Sequence, residues 1–345
     1  MSKTILITGG AGFIGSNFAH HIYKKYPDYR ILVLDALTYA GALENLPVDL
    51  RRKPDERLQF WYGNVRNGEL VEHLVQSSDY IVHFAAETHV TRSIYDNFLF
   101  FETDVLGTQT LANAVCDHRE KIERFIHIST SEVYGTALEK AMSEDHPLNP
   151  MSPYASAKAG ADRLVYSYWA TYKIPAVIVR PFNNYGPRQH LEKVVPRFIT
   201  SAILGEDLRV HGDGNSMRDF VHAQDNCEAI DQILHAPADK VLNQVFNVGS
   251  GEDRSIRSIA EDVCRLMDYP LKKITYVGDR PGQVMRHTAD IQKISKALNW
   301  KPRVNWEEGL RSTIDWYCQH RDWWEKQMWM REIPILTAEG KKEMH

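Results

Sequence analysis

The chain has 345 residues, 43% of them hydrophobic and 25% charged, enough for one large domain or two modest ones. A net charge of −4 argues against nucleic-acid or anionic-membrane partners, and no apolar run approaches the roughly 18 residues of a membrane span. Cys116, Cys227, Cys264 and Cys318 stand far apart with no CxxC, so neither a metal site nor a disulfide scaffold is expected. No charged-then-apolar leader precedes "KTILITGG", so a cytoplasmic location is expected.

The first predicted strand, "TILITG", runs into "TGGAGFIG", which holds Gly9-x-x-Gly12-x-x-Gly15 and opens the helical stretch "GSNFAHHIYKKY". In such a turn the first glycine permits the bend, the second lets a pyrophosphate approach the backbone, and the third allows close helix–strand packing. Gly9, Gly12, Phe13, Ile14 and Gly15 are therefore expected to cradle a dinucleotide, with free N–H groups at the helix start facing its diphosphate. Asp35 ends the second strand, "RILVLDA", about 20 residues on, where a carboxylate takes ribose hydroxyls. A carboxylate there repels a 2′-phosphate, so NAD is expected over NADP.

The third strand, "LQFWYG", leads into "GNVR", where the amide of Asn64, beside Val65, can reach adenine. The fourth, "YIVHFAA", ends in Ala85 and Ala86, small enough for a cofactor to lie close. "GELVEHLVQ" and "LGTQTLANAVCDH" read as amphipathic helices flanking it. Strands buried on both faces read as continuous apolar runs, and their alternation with helices predicts an α/β fold: a Rossmann-type, doubly wound parallel sheet.

The fifth strand, "RFIHI", ends in Ser129, Thr130 and Ser131, followed by Glu132. Open α/β sheets bind ligands at this carboxyl edge, so the Thr130 hydroxyl can hold a substrate oxygen. Tyr154-x-x-x-Lys158 in "SPYASAK" opens the next helix, and i, i+4 spacing sets both side chains on one face. A free tyrosine, with a pKa near ~10, is a poor base, but a lysine one turn away, helped by the positive nicotinamide of the cofactor, favours the phenolate. Tyr154 can then accept a hydroxyl proton while hydride leaves the same carbon.

After the sixth strand, "AVIVRPFN", the rhythm changes to the helices "VPRFITSAILGE", "QDNCEAIDQILHA" and "IRSIAEDVCRLM" and the short strands "LRVHG", "VFNVG" and "KITYVG". The expected division is an NAD-binding domain over 1–182 and a smaller mixed α/β lobe, predominantly substrate-binding, over 183–345, with a cleft between them. The aromatic, charged tail from about residue 323 fits neither and is expected to pack on the body or a partner.

From "ILITGGAGFIGSNF" through "VHFAAETHVTRSI", "STSEVYG", "SPYASAKAGADRLV" and "NNYGPRQHLEKVVP" to "MRDFVHAQDN" and "DRPGQ", the chain resembles the extended short-chain dehydrogenase/reductase family. Within it, the nucleotide-sugar 4,6-dehydratases of the dTDP-glucose type are most similar. The resemblance implies oxidation at C4 by NAD, loss of water across C5 and C6, and hydride return to C6. It assigns Glu132 as the base for the C5 proton and Thr130, Ser131, Tyr154 and Lys158 as its catalytic companions. It also implies Asn184 near the nicotinamide, and Thr88, Asn183, Lys193, Val194, Arg218 and Arg280 around a nucleotide-sugar diphosphate or base. A homodimer is implied too, built on the helices following "FFETDVLG" and "SPYASAK". The chain departs from the dTDP-glucose enzymes at Ser131, where they carry an acidic Asp, and at Thr91. Relatives with a Ser-Glu pair are GDP-mannose 4,6-dehydratases and UDP-glucuronate decarboxylases, and Asp35 speaks against the GDP-mannose type. A UDP-sugar 4-epimerase or a UDP-glucuronate decarboxylase is the alternative reading.

Overall fold

The computed structural model describes residues 2–278 and 284–331, and the backbone alone of 334–336 and 342–344. Arg280 lies outside the described residues. The six expected strands form as β1 (Thr4–Thr8), β2 (Arg30–Asp35), β3 (Leu58–Tyr62), β4 (Tyr80–His83), β5 (Arg124–Ile128) and β6 (Ala176–Pro181). Further along come β7 (Asn183–Tyr185), β8 (Leu208–His211), β9 (Met217–His222) and β10 (Val245–Val248). The main sheet has seven parallel strands in the order β10-β6-β5-β4-β1-β2-β3. The order reverses at β1 and β4, the crevice where such sheets take their ligands.

Side chains alternate across these strands, so each face builds its own core. Ile5, Ile7, Val33 and Val82 pack under Phe18 and Ile22 of the helix Phe13–Lys25 and Ile230 and Ile233 of Ala223–His235. Leu6, Leu32, Ile81 and Phe125 face the other way, against Val71 and Leu74 of Gly68–Gln76, Leu111 of Gly107–Asp117 and Val165 of Pro153–Tyr172. Two of these layers come from beyond residue 182. The strand "VFNVG" becomes β10 beside β6, and Ala223–His235 covers the first sheet. Apolar periodicity marks a strand or a buried helix face without saying which sheet receives it.

A second core gathers Phe198, Ile199, Leu208, Val210, Ile259, Val263, Leu310 and Tyr317 from the helices Val194–Leu204, Ile256–Leu266 and Trp306–Gln319 and from β8. There β9 pairs with β7, with Asp253–Ser255 and with the short strand Arg286–His287. The described start of the tail, residues 323–331, packs on the body. The Trp323 indole donates to Asn45 Oδ1 at 2.8 Å, and fully buried Trp324 donates to the Tyr317 carbonyl at 2.8 Å. Among the described residues, no helix is long and apolar enough to cross a membrane.

Candidate active site

One cavity of about 470 Å³ runs from the β1 turn, past the ends of β4, β5 and β6, to β8 and β9. Its floor at one end is the glycine turn. Gly9 has φ +67°, and a Cβ there would sit 2.5 Å from the Ala85 nitrogen. A Cβ on Gly15 would lie 2.3 Å from the Gly9 carbonyl, so strand and helix meet only because both side chains are missing. At Gly12 an added Cβ meets only the Gly9 carbonyl, at 3.3 Å, and otherwise projects into open space: a cradle for a diphosphate. Phe13 and Ile14 line the same wall.

Asp35 stands at the end of β2 on this wall, 9% exposed, its carboxylate accepting from the Ala11 and Leu37 N–H groups at 2.9 and 2.8 Å. Burial raises its pKa, and those backbone donors oppose the rise. Asn64, Val65, Ala85 and Ala86 complete this end. Asn64 Oδ1 accepts from the Arg66 N–H at 2.9 Å. Asn184, at the other side, donates to the Phe182 carbonyl at 3.0 Å, while its Oδ1 is buried without a partner. An unmet acceptor on a cavity wall fits an amide-bearing ligand such as a nicotinamide.

The end of β5 answers why three hydroxyls precede a carboxylate. Ser129 Oγ is buried on the cavity with no partner. Thr130 caps the short 3₁₀ turn Ser131–Tyr134, accepting from the Glu132 N–H at 3.2 Å. That turn sends Glu132 to the cavity and Ser131 away from it. Ser131, expected as a catalytic companion, is 3% exposed and lies beneath the wall, its Oγ 3.5 Å from His287 Nδ1.

Tyr154 and Lys158 share one face of Pro153–Tyr172, whose first turn is capped by Ser152 accepting from Ala155 N–H at 3.1 Å. Lys158 Nζ donates to the Ile128 carbonyl at 2.8 Å. Burial raises the Tyr154 pKa, Asp104 and Glu132 add to the rise, and the hydrogen bond with Thr130 works against it. The protein's own groups thus favour the Tyr154 phenol, against which the expected phenolate also needs the positive nicotinamide.

Asp104 is the reason in part. It lies on a π-helical turn, Phe101–Leu106, 1% exposed, accepting from the Glu87 N–H at 2.8 Å with Oδ2 unpartnered. Burial pushes its carboxyl up and the Lys158 ammonium holds it down, while burial pulls Lys158 down against Asp104 and Asp162. Glu87, on the cavity, is pushed up to about 7 by burial. Asp104 and Glu87 went unread in the sequence, because a carboxylate in an amphipathic or loop stretch reads as solvated.

At the far end Lys193 Nζ donates to the carbonyl of Thr88 at 2.9 Å, and Asn183, Val194 and Arg218 line the wall beside them. Asn183 donates to the Asp219 carbonyl at 3.4 Å, and Arg218, 5% exposed, to that of Met217 at 2.9 Å. Three further arginines, Arg197, Arg209 and Arg331, reach the same end, the last carried in by the tail. Glu192 is buried here: desolvation works to raise it, but His89, Lys193, His190 and the Tyr39 hydroxyl outweigh this and keep it ionised. A donor-rich end of this kind suits a polyanion such as a diphosphate.

Comparison with known proteins agrees with this geometry. The family profile described as GDP-mannose 4,6 dehydratase matches residues 6–313. A trifunctional UDP-glucose 4,6-dehydratase/UDP-4-keto-6-deoxy-D-glucose 3,5-epimerase/UDP-4-keto-L-rhamnose-reductase of Arabidopsis thaliana is 40% identical over 328 residues, 93% of this chain and 48% of that one. The chain thus spans about half the length of that plant relative. A dTDP-glucose 4,6-dehydratase of an Actinoplanes species is 38% identical over 325 residues, 93% and 99% of the two chains. The solved dTDP-glucose 4,6-dehydratase of Streptomyces venezuelae, with NAD bound, has a TM-score of 0.88 and 40% identity over 94% of this chain and 99% of that one. With its Rossmann sheet, glycine turn and Tyr-x-x-x-Lys helix all inside the matched span, the chain belongs to the GDP-mannose 4,6 dehydratase family.

Proposed function

We propose that the protein is an NAD-dependent nucleotide-sugar 4,6-dehydratase, taking a dTDP- or UDP-glucose type substrate to its 4-keto-6-deoxy product. The observation that carries this reading is the single cavity joining the glycine turn to Thr130, Tyr154, Lys158 and Glu132. The named relatives support it, since they are UDP-glucose and dTDP-glucose 4,6-dehydratases. NAD, when bound, accepts hydride from C4 and returns it to C6. Gly9, Gly12, Phe13, Ile14 and Gly15 hold its diphosphate side, Asp35 its ribose, Asn64, Val65, Ala85 and Ala86 its adenosine side, and Asn184 its amide. Thr130 holds the C4 oxygen whose proton Tyr154 takes, and Lys158 steadies the helix-to-strand junction through the Ile128 carbonyl. Glu132 removes the C5 proton, made acidic by the C4 ketone. Lys193, Arg218, Thr88, Asn183 and Val194 bind the nucleotide diphosphate.

The protein acts in this reading as a homodimer. Phe98, 69% exposed, Leu106, 50% exposed, and Tyr95 and Tyr166 form an apolar surface on the helices that pack together at residues 90–117 and 153–172. A cytoplasmic location is supported by four free cysteines.

The test is incubation with NAD and dTDP- or UDP-glucose, followed by the alkali-induced absorbance of a 4-keto product. A ketone should form with no net reduced cofactor, and Glu132→Gln should lower its rate by about 10²–10⁴-fold. Release of carbon dioxide from UDP-glucuronate, or a 4-epimer with no ketone, would instead mark the decarboxylase or the epimerase.

A further inference from the structure

Loss of water across C5 and C6 involves one proton twice over: a base takes it from C5, and the departing 6-oxygen needs one to leave as water. Glu132 faces the cavity and Ser131 does not, so a single carboxyl group must serve both ends of the step. Such a group works best with somewhere to hold the proton in between.

The structure sets one buried ring against it. His287 is fully buried at the end of the strand Arg286–His287. Its Nε2 lies 2.6 Å from the Gly135 carbonyl, which can only accept, so Nε2 carries the hydrogen and the neutral ring keeps its lone pair on Nδ1. Nδ1 lies 3.5 Å from Ser131 Oγ and 3.7 Å from Glu132 Oε1. The charged and titratable groups facing the ring are Glu132, Arg218 and His146, and Phe182 stands edge-on to it. Burial lowers the imidazole pKa, with Arg218 and His146 in the same direction and Glu132 opposed, so the ring rests as an acceptor.

We propose that His287 is a positioning residue for the elimination: once Glu132 has taken the C5 proton, Nδ1 accepts its O–H and holds the group in place until Glu132 returns the proton to the departing oxygen. In this step the C5–H bond breaks, its electron pair forms the C5–C6 double bond, and the C6–O bond breaks. The proton goes from C5 to Glu132, is held against Nδ1, and leaves in water, so nothing in the relay is oxidised or reduced. The 3.7 Å gap is roughly half an ångström beyond a hydrogen bond, and it closes when Glu132, having taken the C5 proton, donates to Nδ1. Ser131, donating to Nδ1 at rest, keeps that position occupied until Glu132 turns to it. This accounts for a serine where the chemistry asks for an acid.

The inference rests on the dehydratase reading, and the test keeps the two apart. In the NAD-loaded enzyme mixed rapidly with substrate, the absorbance of reduced cofactor reports C4 oxidation and the 4-keto-6-deoxy product reports elimination. His287→Phe should keep the early rise in reduced cofactor while product formation falls about 10²-fold. His287→Asn, which retains an acceptor near Nδ1, should recover about tenfold of that loss and remove the acidic limb of the elimination rate. A purely structural role would slow oxidation and elimination together, with no recovery in the Asn variant, and that result overturns the proposal. Imidazole ¹⁵N resonances of the wild-type protein read the same point without catalysis. A neutral His287 protonated on Nε2 is expected at pH 7, and a charged ring or the opposite tautomer also overturns it. If the wild type shows no reduced cofactor and no ketone, the dehydratase reading itself fails and takes this one with it.

Discussion

Tyr154 is the residue whose chemistry depends most on neighbours far from it in sequence. Burial first, and then the Asp104 carboxylate, raise its pKa in the protein alone. Asp104 is buried with one oxygen unpartnered, close enough to Lys158 for the two charges to act on each other. Replacing it by the isosteric amide removes a charge that raises the Tyr154 pKa. In Asp104→Asn the acidic limb of the kcat/KM profile should therefore move to lower pH, and a limb that stays in place would show that Tyr154 does not feel this carboxylate. The sequence pointed to Tyr154 and Lys158 because their types and spacing carry chemistry in themselves, and to Glu132 through the family resemblance. Asp104 and His287 carry it only through what a folded neighbour puts beside them.

The elements were the most legible level. Strands covered on both faces read as near-continuous apolar runs, and such runs marked all six strands, from "TILITG" to "AVIVRP", although β3, at the sheet edge, is only half-buried. The glycine turn was equally clear, since only missing side chains let β1, its helix and the β4 end come so close. Gly15→Ala would force a Cβ to 2.3 Å from the Gly9 carbonyl. We expect it to cost about 1–3 kcal/mol, seen as a lower denaturant midpoint, and to weaken NAD binding in a direct titration. Unchanged NAD affinity would mean that the turn does not hold the diphosphate. The destination of an element was less legible: "VFNVG" reads the same whether it edges a small second sheet or completes the first as β10.

At the scale of the whole molecule, a buried ion pair ties the Tyr154 helix to the sheet. Arg180 of β6 donates to both carboxylate oxygens of Asp162, at 2.8 and 2.9 Å, and to the Tyr134 hydroxyl at 2.9 Å. Burial works to raise Asp162, but Arg180 and Arg163 outweigh it and hold its pKa below the ordinary value. Its folded pKa is depressed, so its stabilisation is present above the unfolded value near ~3.9 and is lost as pH falls through the folded one. Asp162→Ala leaves Arg180 buried and unpaired, and should cost about 3–5 kcal/mol in urea unfolding at pH 7. That difference from wild type should shrink in strong acid, and a gap independent of pH would exclude the pair as its source. The exposed apolar surface makes its own prediction. If the proposed homodimer uses this surface, Phe98→Asp with Leu106→Asp should halve the mass seen by sedimentation, and an unchanged mass would exclude the surface as its contact.

By itself the sequence determined six strands of the sheet, the glycine turn and the Tyr-x-x-x-Lys helix, because periodicity, missing side chains and residue chemistry are local properties. Only the tertiary structure decided that Ser131 turns from the cavity while Glu132 enters it, that Asp104 lies buried near Lys158, and that His287 meets Glu132 across 155 positions of chain. Burial and charge proximity belong to the space between elements, and no window along the chain contains that space.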